Sequence, residues 1–206
     1  MTFDADFVQN FWRRRAATGA TRWTMDEFFV FERQFLLSHI SQGDSLLDLG
    51  SGFGELSRSI CPDNGNLTAV DLMLEYSSAF EDDSRFDFVQ SSVDTFNPTT
   101  TFDVVLLFGV VTHLTLEQEQ RTYEVIRSAL AQGGTAFIKN QCSDDSDLWV
   151  DTYSEALQCD YQARYPSIAT QHGLLRETFR LVETITYPPN LKIHQNTTHI
   201  LFVCSQ

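Results

Sequence analysis

The stretch that decides the fold is Leu46-Leu47-Asp48-Leu49-Gly50-Ser51-Gly52-Phe53-Gly54-Glu55-Leu56-Ser57, where a short apolar run meets three glycines at alternate positions. A helix-compatible segment follows at once, so the pattern predicts a strand that turns sharply into a helix. Glycine adopts positive φ without strain, and without a Cβ its backbone can lie directly against a ligand. The helix adds unpaired N–H groups at the mouth of the turn. We therefore expect the floor of a nucleotide-type cofactor site here.

The glycine spacing separates this turn from two well-known nucleotide-binding loops. Residues 48–54 read Asp-x-Gly-x-Gly-x-Gly. Dinucleotide loops read G-x-G-x-x-G, and phosphate-binding loops read G-x-x-x-x-G-K-[ST]. An NAD enzyme is therefore a poorer fit to this stretch.

Composition and charge narrow the class of protein. The 206 residues fit one domain with a sizeable core, and the formal net charge is −14. Such a charge argues against the electropositive surface that grips phosphate backbones, so a nucleic-acid partner is disfavoured. We find no apolar run near the roughly 18 residues of a membrane span, and the acidic N-terminus does not resemble a signal peptide. We expect a cytoplasmic protein with no membrane partner; the sequence does not indicate an oligomeric state.

The sequence gives little support for disulfide bonds or for a metal-assisted mechanism. The four cysteines are scattered without a C-x-x-C pair, which is typical of free thiols in a reducing compartment. A metal-assisted mechanism would need carboxylates at the ends of the fourth and fifth strands, and only the loop acids Asp144 and Asp145 are near. We predict no metal site.

Strand and helix patterns alternate along the chain after Gly43. This alternation predicts an α/β fold with a doubly wound, mostly parallel seven-stranded sheet, an antiparallel C-terminal β-pair and helices on both faces. Ligands in such sheets bind beyond the carboxyl ends of the strands. The predicted strands are 45–49, 66–71, 85–90, 102–108, 135–139, 179–187 and 198–204, and the predicted helices are about 4–17, 25–41, 55–60, 72–80, 116–130 and 167–179.

We interpret the whole chain as one domain with four parts. Residues 1–42 form an N-terminal helical cap, and residues 43–140 form the cofactor-binding core. The acidic, aromatic segment 141–166 is the predicted acceptor lid, with a helix possible over 149–162. Residues 167–206 supply the closing helix and β-pair.

With these elements in place, the chain resembles the class I, Rossmann-like S-adenosylmethionine-dependent methyltransferases from about Leu46 to Lys139. Asp48-x-Gly50-x-Gly52-x-Gly54 is similar to the first motif of that family, whose backbone lies against the methionine part of the cofactor. The resemblance implies S-adenosyl-L-methionine as the cofactor and methyl transfer as the activity.

Further motifs extend the resemblance along the core. Asp71 ends the second strand, where the family has an acid that accepts from both ribose hydroxyls. Leu72 and Met73 would then offer an apolar face to adenine. Ser92 stands where the family usually has an acid for the adenine amino group, which is a departure that Asp94 could offset. The resemblance also implies cofactor contacts by Val93 and by Phe108, which ends the fourth strand.

Methyl transfer is an in-line displacement, so positioning supplies much of the catalysis. A hydroxyl acceptor also needs a base, whereas a neutral amine mainly needs its lone pair aimed. His113 is the candidate catalytic base, since it follows the fourth strand and imidazole titrates in the useful range. The alternative is a hydrogen-bonding histidine that caps the next helix or holds the loop. Asn140 is the second catalytic candidate, and it either binds an acceptor oxygen or satisfies backbone groups at the strand end. His194 and His199 are predicted to be structural.

The acceptor is predicted to be a small molecule or a carbohydrate, methylated on oxygen rather than nitrogen. The alternatives are an N-methyltransferase of a small amine and a non-catalytic cofactor-binding or regulatory protein of the same fold. Trp23 and Tyr76 are candidate cavity walls. The predicted acceptor-binding residues are Lys139, Trp149, Tyr153 and Arg164.

Overall fold

The computed structural model describes residues 5–17, 26–155 and 158–206; the candidate wall Trp23 lies outside them. The helices are α1 (Ala5–Ala17), α2 (Asp26–Leu37), α3 (Glu55–Ile60), α4 (Leu116–Ala129) and α5 (Ile168–Thr178), and the 3₁₀ helices are Leu74–Phe80, Val111–His113 and Pro189–Leu191. The strands are β1 (Ser45–Leu49), β2 (Asn66–Asp71), β3 (Phe86–Gln90), β4 (Phe102–Phe108), β5 (Leu130–Ser143), β6 (Leu148–Ser154), β7 (Cys159–Tyr165), β8 (Leu181–Thr186) and β9 (Thr197–Ser205).

Seven strands form one sheet in the order β3-β2-β1-β4-β5-β9-β8. Strands β1 to β5 pair in parallel, whereas β9 is antiparallel to both β5 and β8. The predicted fold class is confirmed. The strand order reverses between β1 and β4, so a crevice is expected beyond the carboxyl ends of these two strands.

The sheet separates two apolar cores because successive side chains of a strand point to opposite faces. In β1, Leu47 belongs to the core that contains Ile126 of α4 and Leu175 of α5. Its neighbour Leu46 belongs to the core that contains Leu36 of α2 and Ile60 of α3. Helices therefore cover both faces and fix the sheet, leaving the strand ends free for a site.

Segment 141–166 differs from its prediction. The expected helix over 149–162 is wrong, because residues 149–154 lie in strand β6 and residues 159–162 lie in strand β7, an antiparallel pair that forms a second sheet. Strand β5 is also longer than predicted, since pairing with β9 continues to Ser143 opposite Thr197. This hairpin follows directly on the extended β5.

None of the described helices is long and apolar enough to span a membrane.

Candidate functional site

The glycine turn after β1 has the conformation that its spacing predicts. Gly50, Gly52 and Gly54 have φ values of 76°, 56° and 66°, the left-handed region that favours glycine. The Gly50 and Ser51 N–H groups donate to the Val70 carbonyl at 2.8 and 3.1 Å. The turn is therefore tied to the end of β2.

Two of these glycines are also required by close packing. A Cβ on Gly50 would lie 2.3 Å from the Val110 Cγ2 atom, and one on Gly54 would lie 2.6 Å from the Phe80 ring. Gly54 precedes the first residue of α3 and is not among the residues that line the cavity described below.

Asp71 links the end of β2 to the glycine turn. Its Oδ2 accepts from the Gly52 N–H at 2.9 Å, and its Oδ1 accepts from the Met73 N–H at 2.9 Å. Burial raises the pKa of this carboxyl, and the backbone hydrogen bonds oppose that shift. A carboxylate has about four lone-pair positions, so both oxygens can still accept from a diol.

Ser92 takes the place of the acid expected after β3. Ser92 and Val93 line the cavity, while the Asp94 carboxylate is buried behind them. The Ser92 hydroxyl donates to Asp94 Oδ1 at 2.5 Å, and Arg121 Nη2 lies 2.7 Å from Asp94 Oδ2. Asp94 is thus engaged by its neighbours, and Ser92 is the side chain that faces the cavity.

A cavity of about 880 Å³ extends from the glycine turn, across the carboxyl ends of the parallel strands, to α1 and the β6–β7 hairpin. Its size and largely apolar lining suit a cofactor together with a second small molecule. The predicted cofactor residues that line it are Asp48, Gly50, Gly52, Asp71, Leu72, Met73, Ser92, Val93 and Phe108. The candidate wall Tyr76 lines it as well.

His113 lies in an aromatic cluster beyond β4, at the other end of this cavity. Its ring centroid is 5.2 Å from that of Trp12, 5.8 Å from that of Phe11 and 5.8 Å from that of Tyr161. Trp12 and Phe11 belong to α1, whereas Tyr161 belongs to β7. Two elements far apart in sequence therefore meet on the histidine.

Burial favours a neutral His113 ring, against the effect of its one hydrogen bond. The Gln162 backbone carbonyl accepts from the ring, and burial nevertheless lowers the pKa of His113 to about 4. A neutral imidazole that donates through one nitrogen keeps a lone pair on the other. Helix α4 is capped by Thr115, whose hydroxyl accepts from the Gln118 N–H, so the capping alternative for His113 does not hold.

Strand alternation decides which hairpin residues reach the cavity. Leu148, Val150, Thr152 and Ser154 of β6 line it, as do Tyr161 and Tyr165 of β7. The intervening Trp149 and Tyr153, predicted to bind the acceptor, are not among the lining residues, and half of Tyr153 is exposed. Because a helix was expected here, the alternation of side chains between the two faces of the hairpin was not predicted.

Arg164 is also displaced from its predicted position in the acceptor site. It is buried, forms an ion pair with Glu119, and its Nη1 lies 3.6 Å from Asp147 Oδ2. It is not among the residues that line the cavity. The side chain instead joins the hairpin to α4.

The end of β5 presents its two polar side chains differently. Lys139 lines the cavity, with Nζ 3.8 Å from Glu32 Oε1 and 5.8 Å from the centre of the Phe28 ring. Asn140 lines the cavity as well, and its Nδ2 donates to Gln171 Oε1 at 3.2 Å. Both predicted residues are therefore at the site.

Sequence reasoning missed several lining residues, among them Val8, Trp12, Glu32 and His199. His199 is buried, and neither ring nitrogen has a hydrogen-bond partner among the described residues. Burial lowers its pKa to about 3, with Lys139 adding to the effect. The available signal was the position of His199 in β9, where side chains point alternately to the two faces of the sheet. This alternation predicts the face on which a side chain lies, but it does not reveal a cavity.

Residues 47–136 match the family model of the methyltransferase domain. The matched range runs from β1 to β5 and includes the glycine turn, Asp71 and His113. A comparison with curated proteins found no match.

Solved structures share the fold over most of the chain. The 1,6-didemethyltoxoflavin-N1-methyltransferase of Burkholderia thailandensis, with 1,6-didemethyltoxoflavin and S-adenosylhomocysteine bound, is 20% identical with a TM-score of 0.76, covering 100% of this chain and 92% of that one. The glycopeptide N-methyltransferase MtfA with S-adenosylmethionine is 15% identical with a TM-score of 0.68, covering 86% and 94%. Coclaurine N-methyltransferase, bound to N-methylheliamine and S-adenosylhomocysteine, is 18% identical with a TM-score of 0.68, covering 80% and 52%.

Residues 47–136 form a methyltransferase domain. The sheet order and the structural matches show that the chain has the fold of the class I, Rossmann-like S-adenosylmethionine-dependent methyltransferases. S-adenosylmethionine or S-adenosylhomocysteine is bound in the three matching structures described above.

Proposed function

We propose that this methyltransferase uses S-adenosyl-L-methionine as its cofactor and acts on a small-molecule acceptor, that the acceptor atom is a hydroxyl oxygen, and that His113 is the catalytic base. The observation that carries the proposal is the position of His113, which lines the cavity and donates to the Gln162 carbonyl, so that its other ring nitrogen keeps a lone pair. The aromatic surroundings favour a compact organic acceptor over a free sugar. A cytoplasmic location remains part of the proposal.

The division of work follows from the residues on the two sides of the cavity. The cofactor supplies a methyl group on a sulfonium, which a nucleophile receives in line with the leaving sulfur. The residues that would hold that cofactor are Asp48, Gly50, Gly52, Asp71, Ser92 and Val93. Trp12 and Tyr161 would orient the acceptor and exclude water, and His113 would accept the hydroxyl proton. Positioning of this kind lowers the barrier by removing freedom before reaction.

The test is a panel of small acceptors incubated with isotopically labelled S-adenosylmethionine, with products identified by mass spectrometry. The panel includes phenols, alcohols, amines, carboxylates and simple sugars. We expect methylated phenols or alcohols, and we expect His113→Asn to lower turnover roughly 10²-fold or more, as for loss of a general base. Affinity for S-adenosylhomocysteine should change little. Undiminished turnover on a hydroxyl would contradict the role of His113.

N-methylation of a small amine is the second candidate. It is favoured by the low pKa of His113, which makes that ring a weak base near neutral pH. Neighbours of the same fold are N-methyltransferases by name. Methylated amines formed at equal rates by wild type and His113→Asn would select this candidate.

Binding without catalysis is the third outcome of the same panel. Tight binding of S-adenosylhomocysteine with no methylated product across every acceptor class would favour a regulatory protein that retains the fold.

A further inference from the structure

A chain of buried hydrogen bonds runs behind the cavity from α4 to the end of β5. We call it the Glu119 relay, and it consists of Glu119, Tyr123, Gln171 and Asn140. The Tyr123 hydroxyl donates to Glu119 Oε1 at 2.6 Å, and Gln171 Nε2 donates to the Tyr123 oxygen at 3.0 Å. Asn140 Nδ2 then donates to Gln171 Oε1 at 3.2 Å. All four side chains are buried, and none of them has a part in the proton transfer proposed above.

The direction of the relay is set at Glu119. Burial raises the pKa of this carboxyl, while the ion pair with Arg164 and the hydrogen bond from Tyr123 oppose the shift. Because Glu119 is paired with a guanidinium, we treat it as ionised, and an ionised carboxylate can only accept hydrogen bonds. The Tyr123 hydroxyl must therefore donate to Glu119, which leaves its oxygen to accept from the next residue.

Gln171 passes the same direction to Asn140. Its amide nitrogen faces Tyr123, so its amide oxygen faces β5. The Cys142 Sγ also lies 3.0 Å from that oxygen, as a second donor. Reversing the Gln171 amide would set its NH₂ group against the Asn140 NH₂ and the thiol, and it would break the bond to Tyr123. The orientation of Gln171 is thus fixed from both ends.

The end of the relay leaves an unpaired acceptor in the cavity wall. With Asn140 Nδ2 committed to Gln171, the other amide atom is Oδ1, which is buried and has no partner among the described residues. Asn140 nevertheless lines the cavity. A buried carbonyl without a partner costs about 1–3 kcal/mol, so a ligand that supplies a donor here gains from pairing it.

We infer that Asn140 recognises the nucleophile of the acceptor by accepting a hydrogen bond from its O–H or N–H group, and that Glu119, Tyr123 and Gln171 are positioning residues that hold the amide for this purpose. The inference rests on the proposed function. It selects hydroxyl and amine acceptors and disfavours carboxylates, which carry no donor when ionised. A hydroxyl carries one hydrogen, so it donates to Asn140 when the acceptor binds and turns to His113 for the transfer of its proton. Methylation removes this donor, so the product makes no hydrogen bond to Asn140 and leaves more readily.

The first test uses two probes that differ by one methyl group. The S-adenosylhomocysteine complex is titrated with phenol and with anisole, and binding is followed by NMR chemical shifts. Wild type should bind phenol roughly fivefold more tightly, the value of one neutral hydrogen bond. Tyr123→Phe frees both amides to turn and should bring the ratio close to one. Thr122→Val is the matched control. It removes a buried hydroxyl of the same helix, and that hydroxyl donates to the Gln118 carbonyl and not to the Glu119 relay. The preference for phenol over anisole should persist in this variant.

The second test observes the amide itself. Neutron diffraction on crystals of the deuterated S-adenosylhomocysteine complex distinguishes the ND₂ group of Asn140 from its oxygen. We expect ND₂ toward Gln171 and Oδ1 toward the cavity. The reverse orientation overturns the inference, and so does equal binding of phenol and anisole by wild type. If neither probe binds, the orientation of the amide alone decides.

The relay and the proposed function can fail separately. Suppose that no acceptor of the panel is methylated, while Asn140 Oδ1 faces the cavity and phenol binds more tightly than anisole. This result counts against the transferase proposal only. Methyl transfer to a hydroxyl with a reversed amide counts against the relay only.

Discussion

The two ends of the cavity are built in different ways. The cofactor end consists of backbone turns at the ends of β1, β2 and β3, held by short-range contacts such as Gly52 N–H to Asp71. The acceptor end consists of side chains from α1 and the β6–β7 hairpin that meet on His113, together with Lys139 and Asn140 of β5. The first depends on conformations that only particular residues adopt, and the second depends on how distant segments pack. We therefore expect the cofactor end to tolerate substitution poorly and the acceptor end to determine specificity.

The largest effect should come from substituting the first glycine of the turn. Gly50→Ala adds a strained left-handed residue, at roughly 1–2 kcal/mol, and a clash with Val110. We expect loss of S-adenosylhomocysteine binding and a clearly lowered Tm, measured by calorimetry and thermal unfolding. Gly133→Ala is the matched control, because its φ is +80° but nothing lies within 4 Å of the added Cβ. Equal losses in both variants would show that strain alone, and not the turn, accounts for the effect.

The next effect concerns the carboxylate that joins β2 to the turn. Asp71→Ala removes two hydrogen bonds to a charged group, each worth about 1.5–3 kcal/mol, and it removes the predicted ribose contact. We expect S-adenosylhomocysteine affinity to fall roughly 10- to 100-fold by calorimetry. Asp87→Ala, at an exposed position of the neighbouring β3, should leave affinity unchanged. An unaltered affinity in Asp71→Ala would disprove its assignment to the cofactor.

A smaller, selective effect is expected at the hairpin. Tyr161→Ala removes a ring that lines the cavity and contacts His113, so turnover of a methylated acceptor should fall about tenfold while S-adenosylhomocysteine affinity stays within twofold. Tyr153→Ala, at the exposed alternate position of the same hairpin, should change neither quantity. Steady-state kinetics and calorimetry on both variants make the check. A drop in cofactor affinity for Tyr161→Ala would remove the division between the two ends.

The smallest effect is a dependence of stability on pH. Burial lowers the pKa of His199 to about 3 and that of His113 to about 4, against about 6.5 when unfolded. The unfolded chain therefore binds more protons, so this contribution is fully present above pH 6.5 and is lost as pH falls toward 4. Urea unfolding at pH 7.5, 5.5 and 4.5 should show a shallower loss for His199→Phe than for wild type. Equal slopes in the two proteins would contradict the lowered pKa of His199.

The same comparison explains what the sequence could predict. Alternate glycines, apolar strand runs and an acid at the end of β2 are local signals. They predicted the sheet, which the structure confirms, and most of the predicted cofactor residues line the cavity. His113, Asn140 and Lys139 were proposed for the acceptor end because they follow strands, and all three line the cavity. The hairpin was taken for a helix, although Leu148, Val150 and Thr152 alternate with outward residues.

Long-range partners set the limit of sequence reasoning. Arg164 was predicted to bind the acceptor, but its partner Glu119 lies 45 residues away. Tyr123 and Gln171 are 48 residues apart. No spacing rule connects such positions before the fold brings α4, α5 and β7 together, so the Glu119 relay could not be predicted.

A crystal structure of the S-adenosylhomocysteine complex tests the two-ended account most directly. We predict the amino-acid portion against the turn from Gly50 to Gly52, the ribose on Asp71, and the sulfur directed toward His113 and Tyr161. A ligand bound away from the glycine turn, or a sulfur directed away from the hairpin, would contradict the account.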